Sequence, residues 1–472
     1  MNAARTISNF GGNVRFQPTG YFEPGDETEV ISILNQHRGQ QIRVVGSLHA
    51  WSDLVVTDGI VLNVTHLNQV DLQPDGESTW VGAGCQIKTV LAALKKEGRT
   101  LPSLGLITEQ TIAGATSTGT HGSGRHCLSQ YIQAVRVARF DPVTGDAMIE
   151  LIDAGNDLRA AKCGLGSLGV IVSVKIQCRS CYGIEEHFRE YRSLEPVLLA
   201  EEQFPLQQFF LAPWRWSYLA QHRREVPLKR SRLAGLYRIY WFLSIDLGLH
   251  LLILFALRIV RSNRFVRFLY RHVIARTVIQ NWRVTDESSA MLVMEHELFR
   301  HLEIELFVTR DRLETSLNYV REVLTVAANP SAERSAPSPL SSSRDGLESL
   351  RGVYCHHYPI CIRRVIPDDT LISMSSGGSQ DWYAISLISY ARPTQRSGFQ
   401  QVAAFLATTM SRQFGARPHW GKYCPLPTEE LVGLYPEFGE FRRICEERDP
   451  LGRFRNSWIT QLFQATSAAR ES

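Results

Sequence analysis

The chain has 472 residues, which is too many for one hydrophobic core, so two domains are expected. A hydrophobic fraction of 44% and a charged fraction of 21% are those of a globular protein and exclude wholesale disorder. The net charge is only +4, but thirteen Lys and Arg residues between His222 and Arg283 meet two acidic ones, so that stretch carries about +11 (13 − 2). No nucleic-acid-binding motif accompanies this charge, and nucleic acid is therefore not an expected partner.

The nine cysteines are scattered and odd in number. Cys178 and Cys181 form one CxxC pair, but a structural zinc site needs a second pair at matching spacing, and the sequence has none. We interpret the cysteines as reduced thiols of an intracellular protein. Residues 1–12 are polar and lack an apolar stretch, so no secretory signal is expected there.

Residues 12–182 mix short helices and strands, which predicts one α+β domain. A turn at Pro24–Asp26 caps a helix, and a second helix is predicted over Ile87–Lys96. The predicted strands are Gln41–Val45, Ile60–Val64, Trp80–Gly82, Val135–Phe140 and Val170–Ile176. Residues 104–124 are dense in Gly, Thr and Ser, which predicts a loop wrapped around another group.

Residues 183–414 have longer aromatic and basic segments and form the predicted second domain. Within it, 222–283 is basic and apolar, and 329–346, rich in Ser and Pro, predicts a flexible loop. The most apolar run, Leu236–Val260, is interrupted by four polar residues, Arg238, Asp246, His250 and Arg258. A membrane-spanning helix is therefore not expected.

The segment Gly164–Gly169 matches GxGxxG, a nucleotide-binding fingerprint that requires a helix directly after it. The next residues, Val170–Ile176, instead alternate and are rich in β-branched side chains, which predicts a strand. We therefore interpret these glycines as letting the backbone pass close to a ligand or to a neighbouring strand.

Two further stretches are rich in small residues: Gly46-Ser47-Leu48-His49 after a predicted strand, and Thr111–Gly124, which contains Thr-Ile-Ala-Gly and Gly-Thr-His-Gly. Small residues let the main chain approach a flat polar ligand, and such loops wrap N–H groups around an anion. Together with Gly164–Ile171 they resemble the PCMH-type FAD-binding domain of the vanillyl-alcohol-oxidase superfamily, which is built from two subdomains.

This resemblance implies FAD as the cofactor, attached covalently through His49 to the flavin 8α-methyl carbon. The family usually has further glycines where this chain has Ser47 and Leu48. The cofactor-binding residues that the resemblance implies are Gly46, Ser47, Leu48, His49, Ala50, Ser52, Gly114, Ser117, Thr118, Gly119, Thr120, His121, Gly122, Gly166, Ser167, Gly169, Val170, Ile171, Lys422 and Asn456.

Two C-terminal stretches narrow the resemblance to the aldonolactone oxidase and alditol oxidase group. His419-Trp420-Gly421-Lys422 is similar to the group's His-Trp-x-Lys segment, and Asp449–Asn456 is similar to its Asp-Pro-x-Gly-x-Phe-x-Asn segment. The resemblance implies that residues 415–465 return to the flavin and complete the active site, and that 183–414 form an α+β substrate (cap) domain. It covers the chain apart from about 185–285 and 329–346.

Members of this group typically read Glu-x-Arg where the chain has Cys361-Ile362-Arg363. A thiol is a weak hydrogen-bond partner and ordinarily neutral near pH 7. Either another acid replaces the missing carboxylate, or the substrate differs from a sugar lactone or polyol. Glu303 and Glu305 lie on a strand-like segment and are available for this role, although a solvated strand face is an equal alternative. The predicted catalytic residues are Arg363, Lys422, His419 and Glu305.

The resemblance implies an enzyme that oxidises a CH–OH group of a sugar lactone or polyol by hydride transfer to flavin N5. Two alternatives stay open: a flavin dehydrogenase of a lipid-linked or other amphiphilic alcohol, and a non-catalytic flavin-binding membrane scaffold. The expected electron acceptor is oxygen, a quinone or a protein. No metal is expected, since His356 and His357 are adjacent and would point apart on a strand, and no other cluster has ligand spacing.

Five arginines, Arg258, Arg261, Arg264, Arg267 and Arg271, recur at intervals of three and four residues, as on one side of a helix. Because the apolar stretch Leu247–Leu257 precedes them, we favour peripheral or monotopic membrane association, with arginines on anionic headgroups. Animal gulonolactone oxidases, which the chain resembles, have an apolar aromatic segment at this place and are membrane-associated. The alternative is a buried helix pair that covers the substrate domain.

Overall fold

The computed structural model describes residues 5–294, 299–330, 344–390, 392 and 396–465. Helices and mostly antiparallel sheets occur together, which confirms the predicted α+β class. The predicted flexible loop at 329–346 falls largely outside these residues, since 331–343 are not described. Its last residues begin a short helix, Arg344–Glu348, instead of continuing as loop.

The first sheet is parallel and has three strands in the order Gly20–Phe22, Ile60–Asn63, Ile42–Val45. The helix Glu27–Gln36 begins where the Asp26 side chain accepts a hydrogen bond from the Glu29 amide. Val30 and Leu34, one turn apart, are completely buried in the core beneath this sheet. The predicted cap, helix and strands in this region are confirmed.

The second sheet is antiparallel, with five strands in the order Ala147–Ile152, Ile132–Phe140, Val170–Gln177, Ser78–Gly82, Val70–Leu72. The strand that begins at Val170 follows the glycine-rich segment directly, so the prediction of a strand is confirmed and a Rossmann helix is excluded. A Cβ atom at Gly169 would lie 2.5 Å from the carbonyl oxygen of Ala138 on the neighbouring strand. Glycine is therefore needed there for close strand approach.

The sequence predicted that residues 104–124 form a loop. This prediction is wrong in part, because Ile112–Ser117 forms a short helix. Glycine and threonine are weak helix formers, which concealed it from pattern analysis. Five of its six residues are buried, so tertiary packing rather than local propensity stabilises this helix. The helices Ile87–Lys96 and Gly155–Lys162 complete this half of the chain.

The second half contains an antiparallel sheet whose eight strands run in the order Val284–Glu287, Gly183–Tyr191, Tyr218–Val226, Gln208–Leu211, Ile360–Val365, Trp382–Ser389, Leu302–Thr309, Arg417–Pro418. Two long helices, Leu313–Ala327 and Ser397–Phe414, pack on it through fully buried apolar side chains. The last strand brings the C-terminal segment to the edge of the sheet, beside Leu302–Thr309.

The remaining elements are short or peripheral. Two small strand pairs join Ile7–Ser8 to Arg15–Phe16 and Arg99–Thr100 to Arg179–Ser180. The other α-helices outside the segment 234–277 are Glu195–Leu199, Ser288–Met291, Thr428–Val432, Phe438–Arg448 and Ser457–Gln464.

Residues Ala234–Val260 form a single helix of 27 residues, which we call the outer helix. Only 17% of its most apolar 18-residue stretch is buried. By length and composition alone it would be able to cross a membrane, and the prediction that it does not cross one stays a prediction. Asp246 and His250 line the interior cavity and leave the outer side apolar. A second helical stretch, Asn263–Thr277, follows after a left-handed residue at Arg261.

A buried arginine joins the two glycine-rich regions to the C-terminal segment. Arg43, on the strand Ile42–Val45, donates hydrogen bonds to the carbonyl oxygens of Leu165 at 2.9 Å, Gly166 at 3.2 Å and Phe454 at 2.5 Å. Its side chain is 3% exposed, and burial lowers its pKa to about 10. Charged donors on three carbonyls fix the relative position of these loops.

We expect Arg43→Met to lower the free energy of unfolding by about 2–4 kcal/mol, because three buried carbonyl groups lose their donor. The measurement is urea unfolding followed by tryptophan fluorescence. Arg38→Met is the matched control, since Arg38 is half-exposed and pairs only with Asp146, and a loss below about 0.5 kcal/mol is expected for it. Equal losses in the two variants would contradict a structural role for Arg43.

Candidate active site

The three glycine-rich motifs meet in space. A Cβ atom at Gly46 would lie 2.2 Å from Thr111 Oγ1, so only glycine lets the first motif touch the second. The Leu165 amide donates to the Ser117 carbonyl oxygen at 3.2 Å and so links the third motif to the second. The predicted cofactor residues of these motifs are thereby brought into one region.

The C-terminal motif closes on the same region. The Trp51 amide donates to the Gly421 carbonyl oxygen at 2.8 Å, and Ser52 Oγ donates to the Trp420 carbonyl oxygen at 2.6 Å. Ser52, predicted to bind cofactor, therefore uses its hydroxyl to hold this segment in place.

Asn456 also holds backbone. Its side-chain amide donates to the carbonyl oxygens of Asp53 at 2.8 Å and Val56 at 3.0 Å, while its carbonyl oxygen caps the helix Ser457–Gln464. The side chain is 1% exposed. These contacts make Asn456 a positioning residue for the loop that follows His49.

The converging loops leave donors without protein partners. Within the described residues, the amides of Ser47, Leu48 and Ala50 donate no hydrogen bond, and neither does the buried hydroxyl of Ser167. Buried or loop N–H groups require an acceptor, and a row of them in glycine-rich turns suits a phosphate. The donor set therefore fits the diphosphate of a dinucleotide such as FAD.

The first motif makes a strained turn before His49. Leu48 has a φ of +55°, the left-handed region that favours glycine, at a cost of about 1–2 kcal/mol. The carbonyl oxygen of Leu48 accepts a hydrogen bond from the Phe10 amide at 2.9 Å, and the Phe10 ring stacks on the His49 ring with centroids 5.1 Å apart. The N-terminal segment thus holds the turn in which the family has further glycines.

The predicted catalytic side chains lie along one face of the eight-stranded sheet. Glu305 is in register with Ser386, which is in register with Cys361 on the next strand. Glu303 lies two residues from Glu305 and so shares its face. Both carboxylates are buried, 6% and 2% exposed, and the alternative of a solvated strand face is therefore wrong.

Lys422 neutralises Glu303. Its Nζ donates to Glu303 Oε2 at 2.5 Å, and Ser386 Oγ donates to the other carboxylate oxygen. Burial alone would raise the pKa of Glu303, but Lys422 and His301 outweigh it and hold the pKa well below its usual range. The ammonium also lies 4.5 Å from the centre of the Trp51 ring.

The protonation of His419 follows from its hydrogen bonds. Its Nδ1 accepts from the Gly421 amide at 3.0 Å, so in the neutral ring the proton is on Nε2. Burial lowers the pKa of His419 to about 3, which keeps the ring neutral. His419 is therefore a hydrogen-bond donor at neutral pH.

His121 has the opposite arrangement. Its Nδ1 lies 2.9 Å from the carbonyl oxygen of Gly122 and donates to it, which leaves Nε2 as the acceptor, 3.5 Å from Glu305 Oε1. Burial by itself raises the pKa of Glu305, but the positive charge of His121, once its Nε2 carries a proton, outweighs burial and lowers the pKa of Glu305 to about 2. His121, which the sequence assigned to cofactor binding, lines the substrate cavity with this carboxylate beside it.

His121, Glu305 and His419 also form a group whose nitrogen and oxygen atoms all lie within 4.8 Å of one another, close enough for a metal ion. Sequence spacing predicted no metal cluster, because these residues are far apart in the chain. In both histidines Nδ1 is engaged by a backbone group, so Nε2 is the ring nitrogen left for this group.

Arg363 is a cation of the site whose charge is not neutralised by an ion pair with a described carboxylate. Its Nε donates to Gln208 at 3.2 Å, and within the described residues no carboxylate lies at ion-pair distance from it. Burial raises the pKa of the neighbouring Cys361 thiol, so this group is neutral. Cys361 therefore does not replace the carboxylate of Glu-x-Arg. Two carboxylates, those of Glu303 and Glu305, lie instead two strands away in the same sheet.

A cavity of about 640 Å³ lies over this face. At one end it is lined by the polar group of His121, Glu303, Glu305, Arg363, His419 and Lys422. The part under the outer helix is lined mainly by apolar and aromatic side chains: Phe210, Trp241, Phe242, Leu243, Ile245, Val293, Met294, Phe299, Ile388 and Tyr390. Polar side chains also line this part: Arg238, Asp246, His250 and the ion pair of Arg223 with Glu186. A ligand in it would place one polar end at the charges and an apolar body beneath the helix.

Comparisons with known proteins decide the family. A family described as FAD binding domain matches residues 18–141, and one described as D-arabinono-1,4-lactone oxidase matches residues 245–462. A long-chain alcohol oxidase from an uncultured marine euryarchaeote is 55% identical over 97% of each chain. The chain belongs to the aldonolactone oxidase family.

Family membership makes FAD the cofactor and the protein an FAD-dependent oxidoreductase. L-gulonolactone oxidase of Scyliorhinus torazame is 26% identical over 97% of this chain and 98% of its own. The crystal structure of cholesterol oxidase from B. sterolicum matches the fold with a TM-score of 0.71, at 13% identity over 98% of this chain and 97% of that one. The predicted resemblance, fold and cofactor are thereby confirmed.

Several lining residues had no signal in the sequence. Trp51 and His301 are held together by a hydrogen bond from Trp51 Nε1 to the His301 carbonyl oxygen at 3.0 Å. Gln208 is paired with Arg363 across two strands, and Ser386 with Glu303. The alternation of side chains along each strand would have predicted which residues of that strand share a face. It does not predict which strands are neighbours, and that order is what brings these side chains into contact.

Proposed function

We propose that the protein oxidises the primary CH–OH group of a long-chain alcohol to the aldehyde. The observation that carries this proposal is the cavity, in which Arg363, Lys422 and two buried carboxylates lie together while the wall beneath the outer helix is mainly apolar and aromatic, its Glu186 and Arg223 being paired with each other. A sugar lactone or polyol has a hydroxyl on nearly every carbon, and those groups would lack partners in the apolar part. The name of the 55% identical relative, a long-chain alcohol oxidase, supports the same substrate class.

The substrate class is tested by anaerobic mixing of the FAD-loaded enzyme with single substrates while flavin absorbance is followed. For alcohols from butan-1-ol to dodecan-1-ol we expect kcat/KM to rise roughly fourfold per added methylene until the cavity is filled. L-gulono-1,4-lactone and xylitol should bleach the flavin far more slowly. Faster bleaching by either of these two than by dodecan-1-ol would overturn the proposal in favour of a lactone or polyol oxidase.

The same experiment addresses the two remaining alternatives. Reoxidation of the bleached enzyme by oxygen or by a soluble quinone identifies the electron acceptor. A scaffold without catalysis would bleach with none of the substrates, although its FAD is bound.

In the reaction the alcohol loses a proton from oxygen and a hydride from carbon, and bound FAD supplies the hydride-accepting chemistry. The chain's own residues orient the alcohol and handle the proton. Arg363, which has no ion pair with a carboxylate among the described residues, stabilises the alkoxide as it forms. Lys422 keeps the adjacent Glu303 neutralised, so that this carboxylate does not oppose the alkoxide.

We infer that His121 takes the hydroxyl proton. Glu303 is bound by Lys422 and Ser386, Glu305 has a pKa of about 2, and His419 presents an N–H rather than a lone pair. His121 Nε2 is the acceptor that remains, and Glu305 at 3.5 Å stabilises the imidazolium that results.

Changing Glu305 to Gln should lower the rate of flavin reduction by dodecan-1-ol about 100-fold, because an amide does not stabilise the imidazolium that forms when the alcohol proton is taken. His121→Ala should lower this rate at least as much, because the proton acceptor itself is lost. The measurement is anaerobic flavin bleaching at saturating alcohol. Unchanged rates in both variants would exclude His121 as the base.

We also propose that FAD is bound covalently through His49. The turn at Leu48 and the stacking on Phe10 hold the imidazole among the converging cofactor loops. After acid denaturation and gel electrophoresis, we expect a fluorescent band that is lost in His49→Ala and retained in His66→Ala, a control at an exposed histidine. A dark wild-type band with FAD in the supernatant would contradict covalent attachment.

A further inference from the structure

An apolar stripe runs along the outward side of the outer helix. Its members recur almost every four residues and are 48–70% exposed: Leu236, Ile239, Leu243, Leu251, Phe255 and Ile259. The opposite side, with Tyr237, Leu249, Ile253 and Ala256, is buried against the protein. A regular exposed stripe about 35 Å long on a packed helix is an interaction surface rather than a set of isolated exposed residues.

The second feature beside this stripe is a set of exposed arginines. Arg258, Arg261, Arg264, Arg271 and Arg276 are all exposed, and within the described residues none lies at ion-pair distance from a carboxylate. The segment Asn263–Thr277 that carries most of them directly follows the outer helix. An apolar stripe bordered by unpaired arginines is complementary to lipid chains bordered by anionic headgroups.

The cavity reaches the surface on this same helix. Among the described residues that line it, only Arg238, Ile239, Phe242 and Leu243 are exposed. Ile239 and Leu243 belong to both the cavity wall and the apolar stripe. The mouth therefore lies on the apolar stripe, and among the described lining residues that are exposed there only Arg238 is polar.

We propose that the outer helix lies on an anionic phospholipid bilayer and that the alcohol enters the cavity directly from the lipid, between Ile239, Phe242 and Leu243. The inner side of the helix packs on the protein and roofs the cavity, so the helix rests in the interface and does not cross it. The hydroxyl group of the alcohol then enters first and moves toward Arg363, and its alkyl chain follows beneath the outer helix. The entry route rests on the proposed substrate, whereas the docking surface does not.

The docking surface is tested by co-sedimentation of the FAD-loaded enzyme with vesicles of phosphatidylcholine containing 30% phosphatidylglycerol, at low and high salt. The triple change Arg258→Gln, Arg264→Gln and Arg271→Gln should weaken binding on the order of 100-fold. Removing the same number of charges with Arg38→Gln, Arg192→Gln and Arg312→Gln, at exposed sites elsewhere, should leave binding nearly unchanged.

The apolar stripe is tested in the same assay. Leu251→Gln with Ile259→Gln should abolish sedimentation, whereas Leu151→Gln with Leu199→Gln, at leucines 53% and 61% exposed elsewhere, should not. Flavin bleaching by dodecan-1-ol in detergent micelles should be unchanged in Leu251→Gln with Ile259→Gln, because neither residue lines the cavity. Bleaching by dodecan-1-ol held in vesicles should fall at least tenfold.

The position of the mouth needs a direct readout. A bimane probe attached at Leu243→Cys should be quenched by lipids with spin labels on their acyl chains, and one at Leu199→Cys should not. A probe at 243 that stays in water while the enzyme is vesicle-bound would overturn entry from the lipid.

Two outcomes would overturn the docking surface. One is sedimentation that the arginine and leucine changes do not alter. The other is absence of vesicle binding together with a dimer in light scattering that Leu251→Gln with Ile259→Gln dissociates, which would assign the stripe to a second copy of the chain. If vesicles bind but no alcohol reduces the flavin, the substrate proposal fails and the docking surface stands.

Discussion

The arrangement of the active site depends on burying two carboxylates on one strand. A buried charge is stable only when paired, and Glu303 and Glu305 obtain their partners from different parts of the chain. Lys422 arrives with the C-terminal segment, which adds an edge strand beside Leu302–Thr309, and His121 arrives from the FAD-binding half. The same requirement for charge pairing therefore holds the substrate sheet, the cofactor loops and the C-terminal segment together at the place where chemistry occurs.

That pairing also divides the cavity. Lys422 is bound to Glu303, and Glu186 and Arg223, which also line the cavity, are paired with each other, so the polar groups that can meet a substrate lie mainly around Arg363. Most of the remaining wall comes from aromatic and aliphatic side chains of the sheet and the outer helix, with Asp246 and His250 among them. A substrate with one hydroxyl and a long apolar body fits this division, and the neutral thiol of Cys361 is consistent with it, because a carboxylate there would add a charge that such a substrate does not need.

The glycine motifs were recognisable in the sequence because close backbone approach requires glycine at fixed positions. Gly46 and Gly169 illustrate this, since a Cβ atom at either would overlap a neighbouring group. The alternation in Val170–Gln177 likewise sufficed to reject a Rossmann helix. In contrast, the helix Ile112–Ser117 was missed because its stability comes from burial, and the continuity of the outer helix was missed because the outward or inward direction of Asp246 and His250 is set by packing.

The sequence by itself determined the fold class, the FAD-binding motifs, the family and the identity of most charged residues at the site, because these depend on local spacing and residue type. Only the tertiary structure decided how those residues are used. Lys422 and Glu303 are 119 positions apart, and their contact depends on strand order and on an edge strand that no local pattern specifies. The same holds for His121, which a glycine-rich motif assigns to the cofactor. Its two ring nitrogens acquire different roles only because the fold places a backbone carbonyl beside one and a carboxylate beside the other.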